Sequence, residues 1–294
     1  MHTLTFSVPN THVEHFTDGM EHGATAVTAR VDEHAAQQEI IAYFETPPDH
    51  AEISARLALL ANLAGIPTPP TQYTDVPPTD WLEHVYRGLH PLRLGRFYVY
   101  GSHSPEQPPA ASIPIQVDAA TAFGSGHHAT TAACLIALSE IAPAITPHRM
   151  LDLGCGSGIL AIGMAKLFRR KILALDIDAE AARVTSLNAK LNQCGSYIHA
   201  ATGGSDSPLL RCGAPYDLIM ANILARPLTL MAHQLCHTLA QPAPAKAGGT
   251  IILSGLLTKQ ENLVANAYVQ HGLRLIKSVR REEWSALVMK KVGR

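Results

Sequence analysis

The stretch Leu151-Asp152-Leu153-Gly154-Cys155-Gly156-Ser157-Gly158 decides the fold of this chain. It joins a short apolar strand, 149–153, to a helix, 159–168, that is apolar on most faces. Glycine tolerates positive φ and lets backbone approach a ligand closely. The helix start behind it offers unpaired N–H groups to a carboxylate or phosphate. Gly156, Gly158 and Ala161 also satisfy the G-x-G-x-x-A register of a dinucleotide-binding turn. The turn alone therefore fits an adenosyl-sulfonium ligand and a nicotinamide cofactor alike.

Working outward, strands and helices alternate. Strand 171–176 and helix 179–191 follow the turn, then strand 216–220, helix 227–239 and strand 250–254, with a hairpin-like pair at 273–279 and 285–290. Such alternation predicts a parallel sheet covered on both faces. Ligands of open parallel sheets lie outside the carboxyl ends of the strands. Asp176 ends the second strand in ALDID, where an acid can hold both hydroxyls of a ribose. Asn222, in Ala221-Asn222-Ile223-Leu224, projects into the same crevice and supplies amide donors and an acceptor but no base. Upstream, the glycine-rich AFGSGHHATT (122–131) enters a helix at about 130–138 and could close over a ligand as a lid.

The first part of the chain has a different texture. Extended 4–8, helical 11–20, strands 24–31 and 40–44, a helix from about Asp49 carrying Ile53, Leu57, Leu60 and Leu63, and an extended piece at 71–76 give the order β-α-β-β-α-β. That order predicts a small α+β, ferredoxin-like domain over 1–78. Prolines then cluster at 67, 69, 70, 77, 78, 105, 108, 109 and 114, which suits a linker and pre-domain segment over 79–114 with a helix at 81–86 and a strand at 96–100. The α/β domain is expected over 115–294.

Composition narrows the function. A formal net charge of -1 argues against a general electrostatic grip on nucleic acid or anionic lipid. No stretch approaches the roughly 18 apolar residues of a spanning helix, and the N-terminus lacks the pattern of a secretory signal. The five cysteines are scattered and form no C-x-x-C pair, which suits a reducing cytoplasm rather than a disulfide framework. Among 16 histidines, only His233-x-x-Cys236-His237 has a suggestive spacing. Gln234 occupies the slot where a metalloprotease helix carries its general base, so solvated or packed histidines are the expectation and no metal is assigned.

Together, AFGSGHHATT, LDLGCGSGILAI, ALDID, ANILARPL, ILSGLL and REEW, in that order, resemble the PrmA family of methyltransferases that modify ribosomal protein L11, and WLEHVYRGLHPLRLGRFYVY (81–100) resembles the piece preceding that family's catalytic domain. The resemblance implies a Rossmann-like, seven-stranded methyltransferase sheet whose last strand is antiparallel. It also implies S-adenosyl-L-methionine as cofactor and a small N-terminal domain that recognises ribosomal protein L11. Carried over residue by residue, the family's cofactor contacts fall on Thr131, Gly154, Asp176 and Asn222. Two departures stand out. Asp118-Ala119-Ala120-Thr121 replaces an Asp-Pro-Gly type start of the loop, and Ser285-Ala286-Leu287 follows EEW where a Cys-Arg pair is usual. The expected enzyme is a cytoplasmic monomer that needs no direct nucleic acid contact and no membrane.

An amine must lose its proton before it can attack a methyl group. At neutral pH that costs a lysine of pKa about 10.4 roughly 4 to 5 kcal/mol, and an α-amine near 8 only about 1. Asn222 is expected to orient the amine. His127 and His128 are candidates for proton acceptance or for packing on the cofactor. Other readings fit less well. Asn222 lacks the Pro-Pro-aromatic run of glutamine and adenine N-methyltransferases, a dehydrogenase would need a hydride-handling His or Tyr-Lys pair that is not evident, and a binding module without activity would not need all four cofactor positions filled.

Overall fold

The computed structural model describes residues 2–21, 24, 26–30, 37–44, 46–75, 91–102, 104, 107–117, 129–243 and 248–292. The chain divides into two compact units, Met1–Val85 and Tyr86–Arg294. Among the described residues, no helix is long and apolar enough to cross a membrane.

The first unit runs β1 (His2–Pro9), α1 (Val13–Glu21), β2 (Ala26–Arg30), β3 (Gln37–Phe44), α2 (His50–Ala64) and β4 (Gln72–Asp75). Its sheet has the order β2-β3-β1-β4 with every neighbouring pair antiparallel. That is the expected ferredoxin-like arrangement. Alternation on β1 sends Leu4, Phe6 and Val8 to one face, where they meet Ile40, Ala42 and Phe44 of β3. Phe16 and Met20 from α1, and Ile53, Leu57 and Leu60 from α2, close this core. Asp49 starts α2 by accepting from the amides of Ala51 and Glu52, and Gly65 ends it at φ 68°.

The second unit begins with β5 (Leu92–Leu94), β6 (Phe97–Tyr100) and β7 (Ile113–Gln116). It continues through α3 (Ala129–Ile141), β8 (Arg149–Leu153), α4 (Ile159–Phe168), β9 (Lys171–Asp176), α5 (Ala179–Leu191), β10 (Ile198–Thr202) and α6 (Pro208–Gly213). Then come β11 (Leu218–Asn222), α7 (Ala225–Thr238), β12 (Thr250–Leu257), α8 (Glu261–Val269), β13 (Leu273–Arg281) and β14 (Trp284–Lys291). The main sheet has seven strands in the order β10-β9-β8-β11-β12-β14-β13. From β10 through β12 the neighbours run parallel, while β14 is antiparallel to both β12 and β13. The last strand is thus the antiparallel one, inserted between two that precede it.

Both faces of this sheet are covered, as its alternation requires. Met150, Met220, Ile252 and Val288 pack with Leu135 and Leu138 of α3 and Ile159 and Ile162 of α4 on one face. Leu151, Ile219, Leu253 and Leu287 pack with Leu228 and Leu235 of α7 and Tyr268 of α8 on the other. Strand order reverses direction between β8 and β11, and such a switch point leaves a crevice at the strand tips.

Within the segment expected as linker and pre-domain, the strand expected at 96–100 stands at Phe97–Tyr100. Leu94, Phe97, Val99 and Ile115 belong to the same buried cluster as α3 and α4. The Arg96 amide donates to Ser139 Oγ at 2.9 Å, and Gln116 exchanges two hydrogen bonds with the Asn192 side chain at 2.9 and 2.7 Å. The prolines are compatible with this. Pro108 and Pro109 lie between strands, and Pro114 sits on β7, an edge of its three-stranded sheet where a missing N–H costs little. The helix expected at 81–86 lies outside the described residues.

Candidate active site at the strand tips

The glycine turn is fixed from behind. The amides of Gly154 and Cys155 both donate to the Leu175 carbonyl, at 2.8 and 3.1 Å, which ties the turn to the tip of β9. On α5, Thr185 Oγ1 donates to the Gly156 carbonyl at 3.0 Å and Asn188 Nδ2 to the Ser157 carbonyl at 2.8 Å. Gly154 has φ 75° and Gly158 φ 80°. A Cβ on Gly154 would run into the Ile223 side chain, and one on Gly158 would come within 2.9 Å of Thr185 Cγ2. Glycine is needed at both for conformation and for space.

Two aspartates flank this turn. Asp152 is fully buried, and its Oδ2 accepts from the Ala161 amide in the first turn of α4 at 2.9 Å. Its Oδ1 has no hydrogen-bond partner among the described residues. Burial pushes its carboxyl up to about 7; the nearby Asp176 charge adds to this and the Ala161 hydrogen bond opposes it. Asp176 instead faces the cavity. Its Oδ2 accepts from the Gly156 amide at 2.9 Å and its Oδ1 from the Asp178 amide at 3.1 Å. The next side chain, Ile177, is 83% exposed beside that carboxylate and offers an apolar face.

Asn222 is the last residue of β11, and its amide nitrogen donates to Thr131 Oγ1 on α3 at 3.2 Å. The side-chain carbonyl is left to accept. Thr131, Gly154, Asp176 and Asn222 line one cavity of about 670 Å³, so all four expected positions come together. The cavity crosses the strand tips in sheet order, from Asp176 at the end of β9 and Ile177 just after it, past Asn222 on β11 to Gly255 on β12 and Trp284 on β14. Cys155 lines it too, but burial pushes its thiol up to about 12, which removes it as a nucleophile.

Several lining residues escape a reading by strand ends alone. Gly203, Gly204 and Asp206 follow β10, a strand too short and too weakly apolar to stand out. The Gln234 side chain of α7 donates to the Ser205 carbonyl in this loop. Leu224 and Met231 surround the Asn222 side, the former within the ANILARPL run. Residues 122–128, expected as a lid and including His127 and His128, lie outside the described residues. His233 and His237 lie side by side on α7 with ring centroids 4.2 Å apart and planes tilted by 39°, and neither lines the cavity.

Comparison with known proteins agrees with this geometry. The model of the ribosomal protein L11 methyltransferase (PrmA) family matches residues 9–292. A ribosomal protein L11 methyltransferase from a Chelativorans species is 38% identical over 273 residues, covering 92% of this chain and 91% of that protein. One from Brucella suis is 39% identical over 269 residues, covering 91% and 90%. The crystal structure of a ribosomal protein L11 methylase from Lactobacillus delbrueckii subsp. bulgaricus superposes with a TM-score of 0.58 at 28% identity, over 69% of this chain and 100% of that one. With the family matched over nearly its whole length, this chain belongs to the ribosomal protein L11 methyltransferase (PrmA) family.

Proposed function

We propose that this chain transfers methyl groups from S-adenosyl-L-methionine to amino groups of ribosomal protein L11, on lysine side chains, on the N-terminal α-amine, or on both. The observation that carries this reading is the convergence of Thr131, Gly154, Asp176 and Asn222 on one cavity at the switch point of the sheet.

The residues present fit the cofactor. Asp176 offers carboxylate lone pairs to two ribose hydroxyls, Ile177 an apolar face to a purine, and Gly154 a surface from which any Cβ is excluded. When bound, S-adenosyl-L-methionine supplies a methyl group on a positively charged sulfur. The protein's own task is to hold a neutral amine in near-attack position. The Asn222 carbonyl accepts from the amine N–H, and its amide is locked by Thr131. An apolar pocket disfavours the ammonium form and so lowers the amine pKa. The N-terminal domain expected over 1–78 recognises the substrate, and the enzyme works as a cytoplasmic monomer without direct nucleic acid or membrane contact.

The test is incubation of the purified chain with methyl-labelled S-adenosyl-L-methionine and, in parallel, purified L11 and ribosomal RNA, followed by mass analysis of each. Label on L11 lysines or its N-terminus is expected. Label on RNA, or none on L11 under conditions where the cofactor binds, overturns the reading.

A further inference from the structure

Trp284 is the first residue of β14, and it forms the cavity wall at the end away from Asp176. It follows a two-residue turn in which Glu282 has φ 54°, in the left-handed region that costs a residue with a side chain something to adopt. Both neighbours of Trp284 are anchored. The Glu283 carbonyl accepts from the Thr258 amide at 2.7 Å and from Thr258 Oγ1 at 3.1 Å. Ser285 is fully buried; its carbonyl accepts from Ser254 Oγ at 2.8 Å and its hydroxyl donates to Glu261 Oε1 at 2.6 Å. Glu261 opens α8, and both of its oxygens are held by Arg280, through Nε at 2.8 Å and Nη2 at 2.7 Å. The Glu261 side chain is only 10% exposed, against 60% for Arg280.

None of Glu261, Arg280 and Ser285 lines the cavity. We infer that they are positioning residues, which fix Trp284 as the wall against which the amine-bearing segment of the substrate packs. This rests on the proposed function for the identity of the acceptor. The strand order supports it: with the cofactor ribose at β9 and Asn222 at β11, the space toward β12 and β14 is left for the acceptor. A carboxylate that takes three hydrogen bonds, one directly from the residue after Trp284, is well suited to hold that strand start in one register.

The chain has two tryptophans, so a Trp81→Phe background makes Trp284 the sole tryptophan reporter. In that background, Glu261→Ala should raise KM for L11 about ten-fold while the cofactor Kd stays within about two-fold. Trp284 emission should shift to the red and acrylamide quenching should increase. Glu261→Gln, which keeps an acceptor for Ser285, should recover most of both signals. Should Glu261→Ala fail to fold, Arg280→Ala, at the exposed partner, should show the same pattern at about three-fold. A folded variant with wild-type KM and an unmoved emission spectrum overturns the assignment. So does an equal loss of cofactor and acceptor affinity. Trp284→Ala separates the premises: wild-type KM there sinks the placement of the acceptor, whereas a raised KM there with none in Glu261→Ala sinks the network. The fluorescence readout decides the positioning role even where L11 takes no label.

Discussion

The tips of β8 and β9 each carry an aspartate beside the same glycine turn, and the two are built for opposite purposes. Asp152 is sealed under α4, spends one oxygen on a helix amide and finds no partner for the other among the described residues. Asp176 has both oxygens on backbone amides yet keeps a face toward the cavity. Position in the sequence does not separate them, because each sits at the end of a buried strand. Solvent access does. A sealed carboxylate organises the turn, and an open one remains available to a ligand.

Asp152→Asn probes the sealed acid and carries the largest effect. A carboxyl raised to about 7 in the folded protein, against about 4 when unfolded, makes the wild type lose stability as pH rises from 4 to 7, on the order of 4 kcal/mol in all. The asparagine variant lacks that slope, whatever its absolute stability. Thermal melts at pH 5 and pH 8 should therefore show the variant gaining on the wild type, and parallel melts at both pH values would break the comparison. Next comes Asn222→Ala. Turnover should fall by about two orders of magnitude, roughly 3 kcal/mol, with melting nearly unchanged. Single-turnover rates at saturating cofactor read this directly, and wild-type turnover refutes the assignment of Asn222.

The open acid comes third. Asp176→Ala should weaken cofactor binding about thirty-fold, about 2 kcal/mol, by calorimetry. Unchanged affinity would remove Asp176 from the ligand site. The smallest effect belongs to Asp178, two residues further on, whose side chain caps α5 by accepting from the Glu180 amide at 2.9 Å. Asp178→Ala should cost about 1 kcal/mol of stability and leave cofactor affinity within about two-fold. A thirty-fold loss there would mean that the comparison has chosen the wrong acid.

Much of this arrangement can be read from the residues. Strand 149–153, helix 159–168, strand 171–176 and helix 179–191 stand where their apolar runs place them, because burial on both sides makes such segments unambiguous. The last strand before Asn222 is displaced by two residues, Leu218–Asn222 rather than 216–220, so Asn222 ends the strand instead of following it. Helix α7 begins at Ala225 rather than at Pro227, since proline is tolerated throughout a first helical turn, where its missing N–H has no intrahelical partner to lose. Strand β10 and helices α6 and α8 were not legible. IHAAT is a five-residue edge strand with no fully buried side chain, α6 is a six-residue helix, and ENLVANAYV of α8 lacks a strong apolar stripe. The part of the cavity wall contributed by 203–206 was hidden with β10. The strand expected at 96–100 stands at Phe97–Tyr100, whereas β7 was obscured by Pro114, although Ile115 points inward.

The insertion of β14 between β12 and β13 bears on the order of assembly. β13 has β14 as its one neighbour in the main sheet, so it has nothing to pair with until the strand after it is in place. Either alone or already paired with β13, β14 has to meet the free edge of β12 before the sheet is complete. Because Trp284 opens β14, the cavity wall at that end is complete only when this strand has joined the sheet.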